Sequence, residues 1–250
     1  MAVGFLGTLL NQTLKLLFRV PRPWVRDPNF TVVGNAKEAA GGYSFPSGHS
    51  QTAVGTFGAL ALTGKQKILR AIFLMIAVLV PFSRMYLGVH TPADVLVGSG
   101  CAVALIFLFR FVDQGKYVPQ VLIGLTAFSV IFLLFVEWFP FPEDMDAHNL
   151  ASGIKNAYTL LGCILAMLIA YFVDKKWVNF PVKAVWWAQI LKVAIGLALV
   201  LAVKEGLRTP LDLFLGASWG RLARYFLIVI MAGVIWPISF RWFAKLGKKD

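Results

Sequence analysis

Eight stretches of this chain are apolar for long enough to decide what it can fold into. They run over 2–18, 50–63, 68–88, 91–112, 117–139, 150–173, 182–203 and 222–240, with longer interruptions at 19–49 and 204–221. Crossing the hydrocarbon core of a bilayer takes about 20 residues of helix. Only helices or closed barrels cross without stranding backbone polar groups, and the alternating segments of a barrel are absent. The expected fold is therefore all-α, a polytopic transmembrane helix bundle of about eight spans. Composition agrees: 58% of the 250 residues are hydrophobic and 14% charged, against about 25% charged in an ordinary soluble domain. That excludes a disordered chain, a coiled coil and a soluble enzyme of normal surface. Cys101 and Cys163 both lie in apolar runs and offer no disulfide framework.

A net charge of +12 invites a nucleic-acid reading, but loop charge accounts for it. With the 19–49 loop outside the cytoplasm, alternation puts twelve basic residues inside: Lys65, Lys67, Arg70, Arg110, Lys116, Lys175, Lys176, Lys183, Arg241, Lys245, Lys248 and Lys249. Only Asp113, Asp174 and Asp250 oppose them there. The outside set holds ten basic residues, several of which belong to the motifs below; with those set aside, the pattern is the positive-inside one. The expectation is an integral plasma-membrane protein with the bilayer, and no nucleic acid, as its partner.

Polar residues near membrane depth are expensive, so each needs a reason. Three clusters stand out: Lys15 with Arg22-Pro23, then Pro46-Ser47-Gly48-His49, then Ser83-Arg84 followed by His90 and Asp94. In the orientation above, all three reach the extracytoplasmic face. Lys15, Arg22 and Arg84 make a cradle for an oxyanion, and arginine's planar fork suits phosphate. Ser47 and the Gly48 amide precede a helix starting near Ser50, whose N–H groups can face the anion. His90 stands just before Thr91-Pro92, a good N-cap and first helical residue. One turn on, Asp94 can accept a hydrogen bond from Nδ1 of His90 and leave Nε2 free as a nucleophile. His49 is placed to protonate a leaving oxygen. The inventory fits phosphoryl transfer through a phosphohistidine, with fixed cations stabilising the charge.

The patterns K-x6-R-P, P-S-G-H and S-R-x5-H-x3-D resemble the three signature motifs of the type 2 phosphatidic acid phosphatase (PAP2) family, with every specified residue in order and at its spacing. By that resemblance His90 is the nucleophile, Asp94 its orienting partner and His49 the general acid. Lys15, Arg22, Ser47, Gly48 and Arg84 hold the phosphate. The family works without a metal cofactor, and many members act on lipid phosphates or diphosphates entering sideways from the bilayer. The resemblance covers residues 1–112 as a phosphatase core and leaves 113–250 as an additional four-helix transmembrane region. Members usually carry two further helices before the first motif, whereas fourteen residues precede Lys15 here. The core is therefore expected either to lack its first helices or to be completed differently.

The expected function is hydrolysis of phosphate or diphosphate from a lipid such as a polyprenyl diphosphate or phosphatidic acid. A lipid phosphotransferase using the same site and an inert binding or transport bundle are the alternatives. Elsewhere, Glu143, Asp144, Asp146 and His148 read as an acidic external loop rather than an ion site, and the tryptophans as interfacial belt residues. Lys192 falls inside a span and faces the bundle interior or a wet cavity. Lys204-x3-Arg208-x-Pro210 faintly repeats Lys15-x3-Arg19-x-Pro21. The 24–45 segment, with Phe30, Val32 and Val33, reads either as a gate beside the site or as an ordinary surface loop.

Overall fold

The computed structural model describes residues 2–110, 116–143 and 145–246. Asp113, Asp144, Lys248, Lys249 and Asp250 of the charge pattern lie outside the described residues. The described chain is helical and carries no strand. Its helices are α1 (Ala2–Phe18), α2 (Pro23–Arg26), α3 (Ala36–Ala39), α4 (Gly48–Thr63), α5 (Lys67–Tyr86) and α6 (Pro92–Arg110). After these come α7 (Val118–Trp138), α8 (Ala147–Val173), α9 (Trp186–Gly206) and α10 (Arg208–Ile230), then the short α11 (Trp236–Ile238) and α12 (Phe240–Phe243).

Among the described residues six helices are long and apolar enough to cross a membrane: 67–86, 92–110, 118–138, 147–178, 186–206 and 208–238. The other two expected spans are helices too, but α1 has 17 residues and α4 has 16. At 1.5 Å per residue they reach only about 24–26 Å, short of the roughly 30 Å hydrocarbon core. The interruption expected at 204–221 is a correction. The structure breaks there only at Leu207 and Gly216, and α10 begins at Arg208. Pro210 is tolerated because it sits in the first turn, where no intrahelical N–H partner is needed.

The chain forms two compact units, one of Met1–Val121 with Leu134–Asn156 and one of Leu122–Leu133 with Ala157–Asp250. In the first, α4 is the central helix and packs against α1, α5 and α6. Its small residues Ala53, Gly55 and Ala61 are buried at those contacts. Helices α4 and α5 run antiparallel, with Phe57 beside Phe73 (ring centroids 6.1 Å apart) and Ala61 O accepting from Arg70 Nε at 3.0 Å. The outer face of α5 leaves Ile68, Leu74, Met75 and Val78 uncovered, as a lipid-facing helix does. Gly98 on α6 allows the closest approach, since a Cβ there would lie 2.6 Å from the Ser47 carbonyl. The residue that starts α4 is thereby pressed against α6.

In the second unit Lys192 is buried, as expected of a residue facing an interior. Its ammonium donates to the Val182 carbonyl at 3.1 Å and lies 4.5 Å over the Phe240 ring. Buried Arg224 pairs with Asp212 at 3.7 Å across the Gly216 break. The echo of the first motif has no structural counterpart. Lys204 lies in the last turn of α9 and pairs with Glu205, and Arg208 and Pro210 lie in the first turn of α10. Arg19, in contrast, takes a left-handed φ of 49° after α1 has ended.

Candidate active site

Lys15 lies in the last turn of α1, where its ammonium is buried and donates to the Tyr43 carbonyl. Just beyond the helix, Arg22 joins two separate segments. Its Nε donates to Gly42 O at 3.0 Å and its Nη2 to Gly41 O at 2.7 Å. Nη1 donates to Val89 O at 2.8 Å and lies 3.0 Å from Nε2 of His90. The arginine expected to hold phosphate is thus also the brace between the 41–42 loop and the 89–90 turn. A guanidinium carries two hydrogens on each terminal nitrogen, so Nη2 keeps one for a ligand.

The second motif opens α4. Ser47 caps it, its hydroxyl accepting from the Ser50 amide at 3.4 Å and lying 2.8 Å from the Ser50 hydroxyl. That cap aims the start of α4, with Gly48 and His49 as its first residues, into the site. Thr91 and Asp94 cap α6 reciprocally: Asp94 N donates to Thr91 Oγ1 at 3.3 Å, and Thr91 N donates to Asp94 Oδ2 at 2.7 Å. This is the capping-box arrangement, with aspartate in place of the usual glutamate. The same Oδ2 accepts from the Ser44 hydroxyl at 2.6 Å and stands 3.5 Å from His90 Nδ1. A helix cap therefore also holds the carboxylate behind the imidazole. Gly88 lets the turn carrying His90 form, with φ at 73° and the Thr31 carbonyl 2.7 Å from where a Cβ would sit.

His90 is buried. Burial above all, with the Arg22 and Lys15 cations, lowers its pKa to about 4 against the raising influence of Asp94. The ring is neutral at pH 7. With Asp94 on the Nδ1 side, Nδ1 carries the proton and the Nε2 lone pair accepts from Arg22. The resting Nε2 is therefore engaged rather than free, which departs from the sequence-based expectation. Burial also lowers the Arg22 pKa, to about 10, with Asp94 opposing the shift, and the guanidinium remains charged at pH 7.

These groups face a cavity of about 790 Å³. Lys15, Arg22, Gly48, His49, Arg84 and His90 all line it. His49 is exposed within it, and Arg84 is half-buried with Nε and Nη2 3.2–3.3 Å from the Ser83 hydroxyl. Ser47 and Asp94 are buried behind this lining. Ala36, Ala39 and Ala40 of the 24–45 segment form part of the wall, and Val33 N donates to Leu87 O at 3.2 Å. Asp146 and His148 of the acidic loop line a neighbouring cavity of about 670 Å³ with Arg19 and Lys37.

Sequence reasoning missed three residues. Ser44 touches both Asp94 and His90, its hydroxyl 3.4 Å from Nδ1. Asn11 donates to Pro46 O at 3.2 Å and to Gln51 Oε1 at 2.8 Å, and Gln51 donates back to Gly7 O at 2.9 Å. This pair locks the second motif onto α1. The one available signal was two amides in apolar helices, each needing a partner.

The model of the PAP2 superfamily matches residues 1–117, and that of the PAP2 superfamily phosphatase transmembrane extension matches 158–249. Phosphatidylglycerophosphatase B of Bacillus subtilis (strain 168) is 34% identical over 122 residues, covering 44% of this chain and 58% of that protein. Undecaprenyl-diphosphatase BcrC of the same organism is 32% identical over 111 residues, covering 44% of this chain and 54% of that protein. The chain thus spans little more than half the length of these curated relatives. No solved structure matches it. With three intact motifs around one cavity and both models matching along its length, the chain is a membrane protein belonging to the PAP2 superfamily and carrying that superfamily's transmembrane extension.

Proposed function

We propose that the chain hydrolyses phosphate or diphosphate from a lipid through a phosphohistidine, at the extracytoplasmic face of the plasma membrane. The observation that carries this reading is His90, buried and neutral, with Asp94 behind Nδ1 and Nε2 against the Arg22 fork at a cationic cavity. An entering phosphate oxygen takes over the Nη1 hydrogen that Nε2 accepts at rest, freeing the Nε2 lone pair beside phosphorus. The N–P bond forms as the P–O bond to the leaving group breaks, and protonated His49 supplies the proton to the departing oxygen. For a monoester the leaving group is the lipid alcohol, and for a diphosphate it is the lipid phosphate. Asp94 stabilises the charge that develops on the imidazole. Lys15, Arg22 and Arg84, with the Gly48 amide, hold the phosphoryl oxygens, and Ser47 acts through the helix start that it caps. Water deprotonated by His49 then cleaves the N–P bond, and inorganic phosphate leaves.

Charge placement supports the orientation. Lys65, Lys67 and Arg70 cluster where α5 begins, and Arg84 reaches the cavity near its other end, about 25 Å away. We assign catalysis to residues 1–112 and an accessory transmembrane role to 113–250. The test is phosphate release by the whole chain in detergent with EDTA, from a diacylglycerol phosphate, a polyprenyl diphosphate and a water-soluble ester. Release from a lipid should persist in EDTA, fall with vanadate and drop at least about a thousandfold in His90→Ala. Release that survives in His90→Ala, or that requires magnesium, would refute the mechanism.

A further inference from the structure

Below the catalytic groups the cavity descends between α1, α4 and α5, and its lining there is not uniformly apolar. Thr8 and Gln12 face it from α1, Thr52 and Thr56 from α4. A helical threonine beside lipid normally satisfies its hydroxyl on the carbonyl of the preceding turn. Thr8, Thr13, Thr63 and Thr126 do so, donating to the residue four before at 2.8–3.1 Å. The exposed Thr52 and Thr56 hydroxyls have no hydrogen-bond partner among the described residues. The Gln12 amide is held in place by Asn156 Nδ2, which donates to its Oε1 at 2.8 Å. Its own N–H groups have no hydrogen-bond partner among the described residues, and Gln12 lines the cavity.

The depth of these donors selects their ligand. Thr52 and Thr56 follow His49 by three and seven positions on one helix face, which places them about 4.5 and 10.5 Å below it along α4. A polyprenyl diphosphate carries its last oxygen within the first turn below the reacting phosphorus, and the rest is hydrocarbon. Thr56 would then face hydrocarbon with its hydroxyl unpaired. A diacylglycerol phosphate carries ester oxygens through both turns before its chains become purely apolar. We propose that Thr52, Thr56 and Gln12 form a hydrogen-bonding subsite for the ester oxygens of a glycerolipid, so that the chain selects diacylglycerol phosphates over polyprenyl diphosphates. This rests on the lipid-phosphatase reading and names its substrate class.

Thr56→Val keeps the shape of the side chain and removes the donor. The assay compares kcat/KM for dioleoyl phosphatidic acid and for a polyprenyl diphosphate in the wild-type chain, Thr56→Val and Thr52→Val/Thr56→Val. The expected result is a wild-type preference for the phosphatidic acid that falls about fivefold in the single and about tenfold or more in the double variant. Polyprenyl diphosphate turnover should hold or rise in Thr56→Val, which no longer places an unpaired hydroxyl against its chain. Equal losses on both substrates, or no change on either, would overturn the proposal. Binding of the two lipids to His90→Ala, with and without Thr56→Val, needs no turnover. If no phosphate is released from either lipid, the phosphatase reading fails, and tighter binding of the phosphatidic acid that Thr56→Val abolishes still supports the subsite. Indifferent binding overturns it.

Discussion

Replacing Arg22 with lysine keeps the positive charge and removes the fork, so it separates the two roles the structure gives this residue. The guanidinium holds Gly41 O, Gly42 O and Val89 O and also meets His90 Nε2. A lysine ammonium is a compact donor that cannot span these partners together. The Gly41 and Gly42 carbonyls lie toward the exposed loop and can turn to water. Val89 is buried and its carbonyl cannot; leaving such an acceptor unmet costs about 1–3 kcal/mol. Stability should therefore fall by about that amount, read as a lowered thermal midpoint in detergent. Activity should fall further, because the proposed mechanism relies on this donor to release His90 Nε2 to the phosphate. Loss of one preorganised donor at a reacting oxyanion is worth about 10²–10³ in rate, and Arg22→Lys should lose that much in kcat/KM for lipid phosphate release. Arg22→Ala, which also removes the charge, should lose about tenfold more. A lysine variant that retains more than a fifth of wild-type kcat/KM would refute the reasoning, since the fork would then be dispensable and charge alone sufficient.

Ser44→Ala removes a charge-assisted hydrogen bond of 2.6 Å to Asp94 and leaves no orphaned donor. The carboxylate keeps Thr91 N but loses the partner that holds it beside the imidazole, so kcat should fall about 10–30-fold with KM little changed. Ser44→Thr should restore part of the loss, and an unchanged kcat would show that the hydroxyl only fills space. The acid limb of kcat/KM reports the free enzyme. In the proposed mechanism His90 attacks as the neutral imidazole, and its pKa is lowered to about 4, so activity should persist to about pH 5 and be lost as pH falls through 4. A half-maximum near 6.5, the ordinary histidine value, would mean that His90 is not buried as the structure has it.

The helices were legible from the sequence because their signal is local. Apolar runs of sufficient length have few alternatives in a bilayer, and caps such as Ser47 and Thr91-Pro92 act within one turn. The motif residues were legible for a related reason, since the chemistry fixes residue type and near-neighbour spacing: His90 and Asp94 lie one helical turn apart and meet through the cap of α6. What lay outside the sequence is what depends on contacts between distant segments. Ser44 reaches Asp94 across fifty residues and Asn11 reaches Gln51 across forty, distances at which periodicity carries no information. The same holds for Arg22. Its side chain named it a phosphate ligand, but only the packed structure placed three carbonyls and an imidazole around its fork. The 204–221 stretch failed for the opposite reason, because its charges and proline read as a loop, whereas Pro210 falls in the first turn of α10, where it is tolerated, and the chain stays helical on either side of a break at Gly216. Residue type and spacing thus determined which groups are present and where helices begin. Tertiary structure alone decided which hydrogen-bond donors are already engaged and which, like Thr52 and Thr56, still face the cavity, because that is settled by what packs beside each side chain.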